Sequence, residues 1–494
     1  MAFPDRVAEV YIGKTIFITG GSGFLGRVLI EKILRKSPDV KHIYMLLRPK
    51  KGKDPRQRLF DLLKIMRGEE ITKKVSCVAG DVMEPGLGLM EIVFHGAATI
   101  RFDEPLRKAV LLNTRGTKYT LELAKEMKKL LVFVHISTSY CHLQEKVLYE
   151  KSYPPAANPH KIIKSVELMD EALVESVAKK ILENFPNSYA YTKNLSEGLV
   201  VEFTEAGLPA MILRPSIVIP VWKEPLPGWT DNINGPTGLL IGAGKGVIRT
   251  MYCNNKGYAD YLPVDICVNG ILLAGLRTEY MPSNFESRVA NLLAEIIDVG
   301  KDIVTSDVPL NGGIWYPGGS MKTSRFLHNI CVVLFHWIPA YFLDAIIFLS
   351  GNKPVLCRVH DRVNKGFEVF EYYANNQWEF RNEHVHYLRK ILNKRERFEL
   401  LDRATFLPQV KQILFGGPVL LSRTNSRVVK LCAGYTLKFP SISDQMVTSA
   451  HHLPSNFFGL QNLMVDDGAV GLILHLISTN RAYFTLISST RCFN

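Results

Sequence analysis

Tyr189 and Lys193, four positions apart in PNSYAYTKNLSEG, are the residues whose types and spacing offer the clearest chemistry. At that spacing a phenol and an ammonium group share one helix face. The neighbouring positive charge favours the phenolate and lowers the tyrosine's pKa. A tyrosine tuned in this way works as an acid near neutral pH. Tyr191 is two positions from Lys193 and falls on another face. Tyr252 and Lys256 form a second pair at the same spacing, as a chain with 19 tyrosines is expected to contain by chance. That pair sits in the turn-like CNNKG stretch, whereas Pro186, Asn187 and Ser188 read as a helix start immediately before Tyr189. Upstream, the apolar run LLVFVHI ends in Ser137, Thr138 and Ser139. A hydroxyl at such a strand end can polarise a carbonyl beside Tyr189, or serve as an ordinary turn residue.

A second constellation is built to hold a phosphate. In IFITGGSGFLG the run Ile16, Phe17 and Ile18 delivers Gly20, Gly23 and Gly26 to a turn, and a helical pattern follows. Glycines at that spacing permit a tight bend, close approach of backbone to pyrophosphate and close helix packing. The anion then sits on a helix N-terminus, where free N–H groups and the macrodipole favour negative charge. A glycine triplet alone is a weak signal, and its place between strand and helix strengthens it. Where sites for the unphosphorylated dinucleotide carry an acidic residue, this chain has Arg48, followed by Lys50, Lys51 and Lys53. Guanidinium and ammonium groups match a ribose 2'-phosphate, so NADPH is the expected cofactor.

The elements that must position these residues are legible in the same text. From Lys14 to about Val218, short β-branched or aromatic runs alternate with longer helical patterns, which predicts a doubly wound α/β fold with a parallel sheet. Strands are expected at 15–19, 42–47, 75–78, 91–95, 131–137 and 210–214, with helices over Leu25 to Arg35, Arg56 to Met66, Leu106 to Lys129 and Tyr189 to Ala206. Ligand is expected at the carboxyl ends of the strands. Residues 79–91 contain Pro85, Gly86 and Gly88, which leaves no room for a normal crossover helix. Thirteen extended residues still reach roughly 40 Å, so a local stability defect is expected there and the site is not affected.

Composition bounds the rest. With 494 residues, 47% apolar and 22% charged, the chain is globular and long enough for two or more domains. A formal charge of +13 suits phosphorylated cofactors or an anionic membrane face. Nucleic acid is not expected, because no zinc spacing, recognition-helix pattern or aromatic platform motif is present. Eight scattered cysteines without a CxxC pair predict a reducing compartment and neither a metal site nor a disulfide framework. The opening residues MAFPDRVAEVYIGK contain no apolar signal core. Phe326 to Leu343 lacks Asp, Glu, Lys and Arg and is long enough to consider as a membrane span. Pro339, two histidines, Asn329 and the following Asp344 are costly in hydrocarbon, so a buried or interfacial hairpin is the expectation. Residues 364–402 read as an amphipathic helical region rich in aromatics, and the pattern past about 404 is aperiodic.

Taken together, TGGSGFLG, Arg48, AGD at 79–81, HGAATIRFDEP at 95–105, NTRGT at 113–117, HIST, YAYTK and RPSIV at 214–218 resemble an extended short-chain dehydrogenase/reductase. KEPLPGWTDNINGPTGLLIGAGKGVIRTM, ADYLPVD, PAYFLDAIIFLSGNKP and FEVFEYYANNQWEF resemble, more narrowly, the alcohol-forming fatty acyl-CoA reductases of insect type. The similarity covers about residues 8–402. It implies an NADPH-dependent reduction of long-chain fatty acyl-CoA to a primary alcohol through an aldehyde. The resemblance assigns Gly20, Gly23 and Gly26, with Phe24 and Leu25, to the pyrophosphate turn, Arg48 to the 2'-phosphate and Asp81 to the adenine side. It adds Asn113 and Pro215 to the cofactor site, gives Lys193 the nicotinamide ribose and the tuning of Tyr189, and pairs Thr138, or Ser137 beside it, with Tyr189 at the oxyanion.

Implied too are four segments: an NADP-binding reductase domain over 1–275, a connector over 276–325, a smaller helical region over 326–403 and an atypical tail over 404–494. A membrane-associated intracellular protein is implied, with endoplasmic reticulum, peroxisome and lipid droplet all open. The likeness departs in two places: helical residues that family members carry near Leu89 are absent, and the tail past 404 differs. An aldehyde-forming acyl-CoA reductase, a sterol or sugar-nucleotide dehydrogenase, and a non-catalytic nucleotide-binding scaffold are the competing readings.

Overall fold

The computed structural model describes residues 5–396 apart from 49–53, 68–73, 80–89, 232–234, 255–256, 276–283, 288–289, 293–318, 382 and 384–391. The first five strands are β1 (Thr15–Thr19), β2 (His42–Leu47), β3 (Val75–Ala79), β4 (Ile92–His95) and β5 (Val132–Ile136). With Ala210–Pro215 and Asn284–Ser287 they make a seven-stranded sheet. From one edge the order is Asn284–Ser287, Ala210–Pro215, β5, β4, β1, β2, β3, and every pairing is parallel. The chain leaves β1 toward β2 and β3, then returns to place β4 on the other side of β1. The crevice between the carboxyl ends of β1 and β4 is therefore the switch point at which such sheets bind ligand.

Strands buried on both faces read as continuous apolar runs, and β1, β4 and β5 are buried throughout. Side chains alternate across the sheet, so Ile16 and Ile18 join one core with helices Phe24–Lys36 and Val264–Ala274. Phe17, Val93 and Phe133 join the other, with helix Ser188–Glu205. All six predicted strands are present, to within a residue or two at their ends. The seventh comes from the segment read as a connector.

One predicted helix is interrupted. Instead of a single run over Leu106 to Lys129, the chain forms Leu106–Ala109, a π-helical turn at Val110–Arg115, and Gly116–Lys125. The wider turn opens the Asn113 carbonyl to side-chain hydroxyls, and Thr117 and Ser196 donate to it at 2.7 and 3.3 Å.

Beyond residue 319 the chain remains attached to this core. Ser320–Lys322 pairs with Thr250–Tyr252, and Glu379–Phe380 pairs with Val147–Leu148. Between them, Arg325 to Leu349 forms one helical run with a π turn at Val333–Trp337, followed by helix Leu356–Asn375. That helix ends before the amphipathic region expected over 364–402 does, and a strand follows it. Among the described residues, Arg325–Leu349 is the only helix long and apolar enough to cross a membrane. It presents Phe326, Ile338, Phe342 and Phe348 outward, and turns His336, Ala340, Asp344 and Ile347 inward. The Asp344 carboxylate accepts from the backbone N–H groups of Val355, Leu356 and Cys357 at 2.8–2.9 Å and so caps the next helix.

Candidate active site

The glycine turn has the shape that the sequence predicts. Gly20 adopts a φ of +77°, and a Cβ there would stand 2.6 Å from the Gly96 carbonyl at the end of β4. A Cβ on Gly26 would meet the Gly20 oxygen at 2.5 Å, so helix Phe24–Lys36 can approach the turn only without one. Gly23 is the N-cap and makes no side-chain capping bond, which leaves the first-turn N–H groups for a ligand. The residues present therefore fit a dinucleotide pyrophosphate. Phe24 and Leu25 lie half-buried in the first turn, where the Phe24 ring packs 5.6 Å from Trp229. Arg48 lies exposed just past β2, and its carbonyl accepts from Arg58. Asp81, Lys50, Lys51 and Lys53 lie outside the described residues, as do Lys256, residues 80–89 of the short crossover and the tail past 404. Pro215 is the buried last residue of its strand.

Asn187 caps helix Ser188–Glu205 by accepting from the Ala190 N–H at 2.9 Å. This cap sets where Tyr189 emerges, one turn before Lys193. Lys193 is buried, and its Nζ donates to the Ile136 carbonyl at 2.7 Å, at the end of β5. The Tyr189 phenol lies close enough to the Thr138 hydroxyl, two residues further along that strand end, for Thr138 to favour the phenolate. Ser137 instead faces Cys141 at 3.7 Å, so Thr138 is the hydroxyl that the fold brings to Tyr189. Asn113 is buried between Thr99 and Thr192: it accepts from the Thr99 N–H at 2.8 Å and donates to the Thr192 hydroxyl at 2.9 Å.

The electrostatics differ from expectation. Burial raises the Tyr189 pKa, Cys141 and Tyr373 act in the same direction, and only Thr138 opposes them. Lys193 is not among the causes of the Tyr189 shift, and its Nζ donates to the Ile136 carbonyl. Lys193 itself is pulled down to about 8 by burial, against the opposing pull of Cys141 and Glu197.

Three groups of residues escaped the sequence reading. Glu197, one turn beyond Lys193, is gripped by Arg214 at 2.8 Å, His142 at 2.7 Å and the Cys141 thiol at 3.2 Å. Burial acts to raise the Glu197 carboxyl, and Arg214 and His142 overcome it and hold the group well below the usual carboxylate range. Cys141, His142 and Glu197 lie close enough together to resemble a metal-binding group, and the Arg214 guanidinium already satisfies the carboxylate. His95 bridges Thr19 and Thr117 at 2.8 and 3.0 Å behind the crevice, and burial lowers it to about 3. Phe102, Tyr140, Tyr373, Trp378 and Phe380 form an aromatic wall beside Tyr189. The spacing of Glu197 from Lys193 and the aromatic density of FEVFEYYANNQWEF were the available signals for two of these groups.

An NAD-binding family model described as male sterility protein matches residues 18–271, and a second model of that description matches 335–414. Fatty acyl-CoA reductase 1 of Xenopus laevis is 36% identical over 422 residues, covering 79% of this chain and 81% of that protein. The chain belongs to the fatty acyl-CoA reductase family. The human fatty acyl-CoA reductase 1 is likewise 36% identical, with 82% of each chain covered. A Drosophila melanogaster fatty acyl-CoA reductase is 34% identical over 78% of this chain and 79% of its own. The reductase shares its fold with the terminal R domain from the myxalamid PKS-NRPS pathway, with a TM-score of 0.53, 17% identity and coverage of 84% of this chain and 92% of that one. The aureusimine biosynthetic cluster reductase domain gives a TM-score of 0.52 at 12% identity, covering 84% and 98%.

Proposed function

We propose that this reductase converts long-chain fatty acyl-CoA to the primary alcohol with NADPH, by way of the aldehyde, at an intracellular lipid surface. The observation that carries the reading is that Tyr189 and Thr138 come together at the end of β5, two strands from the glycine cradle that ends β1. Gly20, Gly23 and Gly26 hold the pyrophosphate, Arg48 meets the 2'-phosphate, and Lys193 holds the nicotinamide ribose. The bound nicotinamide supplies a hydride in each of two rounds.

In the first round, Tyr189 and Thr138 donate to the thioester oxygen as it gains negative charge, and collapse expels the CoA thiolate. In the second, Tyr189 gives its proton to the alkoxide carbon's oxygen to yield the alcohol. The raised phenol pKa suits this role, because the group stays protonated until the stronger base forms. Lipid attachment is supported by the outward apolar stripe of Arg325–Leu349, on which Phe326 is 72% and Leu349 84% exposed. Since Asp344 and His336 face the protein, that helix suits lying along a lipid surface.

Purified full-length protein, given palmitoyl-CoA and NADPH, should form hexadecanol and consume two NADPH per alcohol, with NADH much poorer. Tyr189→Phe should lower kcat by about 100-fold or more, the scale of a lost general acid. Aldehyde as the sole product, or equal use of NADH, overturns the corresponding part of the reading.

A further inference from the structure

A residue from the helical C-terminal region reaches the surroundings of Tyr189. Tyr373 lies on helix Leu356–Asn375, 186 positions from Asn187, and its hydroxyl accepts from the Asn187 side-chain nitrogen at 2.9 Å. The oxygen of the same Asn187 amide caps the helix that carries Tyr189. Phe102 stands between the two tyrosines, with ring centroids 5.7 Å from each. On its other side Tyr373 meets the edge of Tyr140, two residues past Thr138, at 5.6 Å. Tyr140 in turn packs against Trp378, whose indole N–H donates to the Leu143 carbonyl at 3.0 Å. One ring thus touches the cap of the Tyr189 helix, the aromatic neighbour of Tyr189 and the loop that presents Thr138.

We propose that Tyr373 is a positioning residue that holds Tyr189 and Thr138 in mutual register, so that the C-terminal region forms part of the reaction centre. The proposal rests on the acyl-CoA reductase reading for its activity assay. The hydroxyl fixes Asn187, whose amide has one orientation when its nitrogen is bound to Tyr373 and its oxygen to Ala190. Without that hydroxyl the cap keeps its acceptor and loses the contact that orients it. The ring separately keeps Phe102 and Tyr140 apart at their present spacing, so loss of the ring loosens the surroundings of both Tyr189 and Thr138.

The test compares full-length wild type, Tyr373→Phe and Tyr373→Leu by steady-state kinetics with palmitoyl-CoA and NADPH, thermal unfolding and NADPH fluorescence titration. Tyr373→Phe should lower kcat about threefold to tenfold, the scale of one neutral hydrogen bond, and leave both KM values, NADPH affinity and the melting temperature near wild type. Tyr373→Leu should lower kcat further. Unchanged kcat in both variants, or a loss that follows the unfolded fraction, overturns the proposal. A rise in the acyl-CoA KM alone also overturns it, because that assigns Tyr373 to substrate contact. Should the wild type itself show no turnover, the functional reading fails and the positioning claim is still tested by NMR of ring-labelled tyrosine. The Tyr189 signal, assigned with Tyr189→Phe, should move in Tyr373→Phe, and an unmoved signal overturns the claim.

Discussion

Arg214→Ala is the perturbation with the largest expected cost. Arg214 Nε lies 3.0 Å from one Glu197 oxygen and Nη2 lies 2.8 Å from the other, and the two side chains are 0% and 1% exposed. Removing one partner of such a pair strands a charge in the interior and costs about 3–5 kcal/mol. His142 at 2.7 Å and the Cys141 thiol at 3.2 Å remain to solvate the carboxylate, which places the loss toward the lower end of that range. At about 2.1 cal/mol/K per residue, the roughly 320 described residues unfold with about 0.7 kcal/mol/K, so the melting temperature should fall by about 4–7 °C. The double variant Glu197→Gln with Arg214→Met removes the stranded charge as well and should recover most of the loss.

The pH dependence has a definite sign. Because the folded Glu197 carboxyl lies below its unfolded value of about 4.3, the pair's contribution is present above that pH and is lost as pH falls through the folded value. Thermal melts between pH 3 and 8 measure all of this. A cost below about 1 kcal/mol for Arg214→Ala, the scale of an exposed pair, refutes the buried-pair account, as does a double variant no better than the single one.

Gly26→Ala places a Cβ 2.5 Å from the Gly20 carbonyl, which is backbone and cannot swing aside. NADPH affinity should fall at least about tenfold if overpacking of about 1–3 kcal/mol displaces the turn, and an unchanged fluorescence titration refutes it. With Lys193 lowered to about 8, kcat/KM should decline as pH rises through that value, and Lys193→Arg should move the decline to higher pH. Since the unfolded lysine titrates near 10.4, the native state releases its proton first and stability should rise between about 8 and 10.4. A flat rate profile across that window counts against an ammonium role. Phe342→Asp with Phe348→Asp should cut co-flotation with anionic lipid vesicles about tenfold or more, since each exposed aromatic contributes about 1.5–3 kcal/mol when buried in lipid. Unchanged flotation shows that another surface binds the lipid.

How much was legible in the sequence depended on whether a feature is local. The strands of the sheet are apolar runs buried on both faces, and their composition marks them without any tertiary context. Gly20 and Gly26 were readable because each is constrained by a close backbone approach that only glycine allows. Tyr189 and Lys193 were readable because helical spacing brings them to one face. The π turn at Val110–Arg115 was hidden, since it follows from Asn113, Ser196 and Thr117 meeting in space. The electrostatic expectation for Tyr189 failed because burial, the largest cause of its raised pKa, depends on packing that spacing does not report. The partners of Tyr373 and Glu197 were hidden for the same reason, since they lie 186 and up to 56 positions away.

The pairing of Glu379–Phe380 with Val147–Leu148 ties the two ends of the enzyme by main-chain contacts that any side chains can make. What must match is the set of rings around that seam. A chimera that joins the front of this enzyme to the back of a distant relative would keep the strand pair yet mismatch Tyr140 with its new neighbours. Such hybrids should fold and turn over poorly, and the productive crossover points should fall where both sides of the aromatic cluster are inherited together.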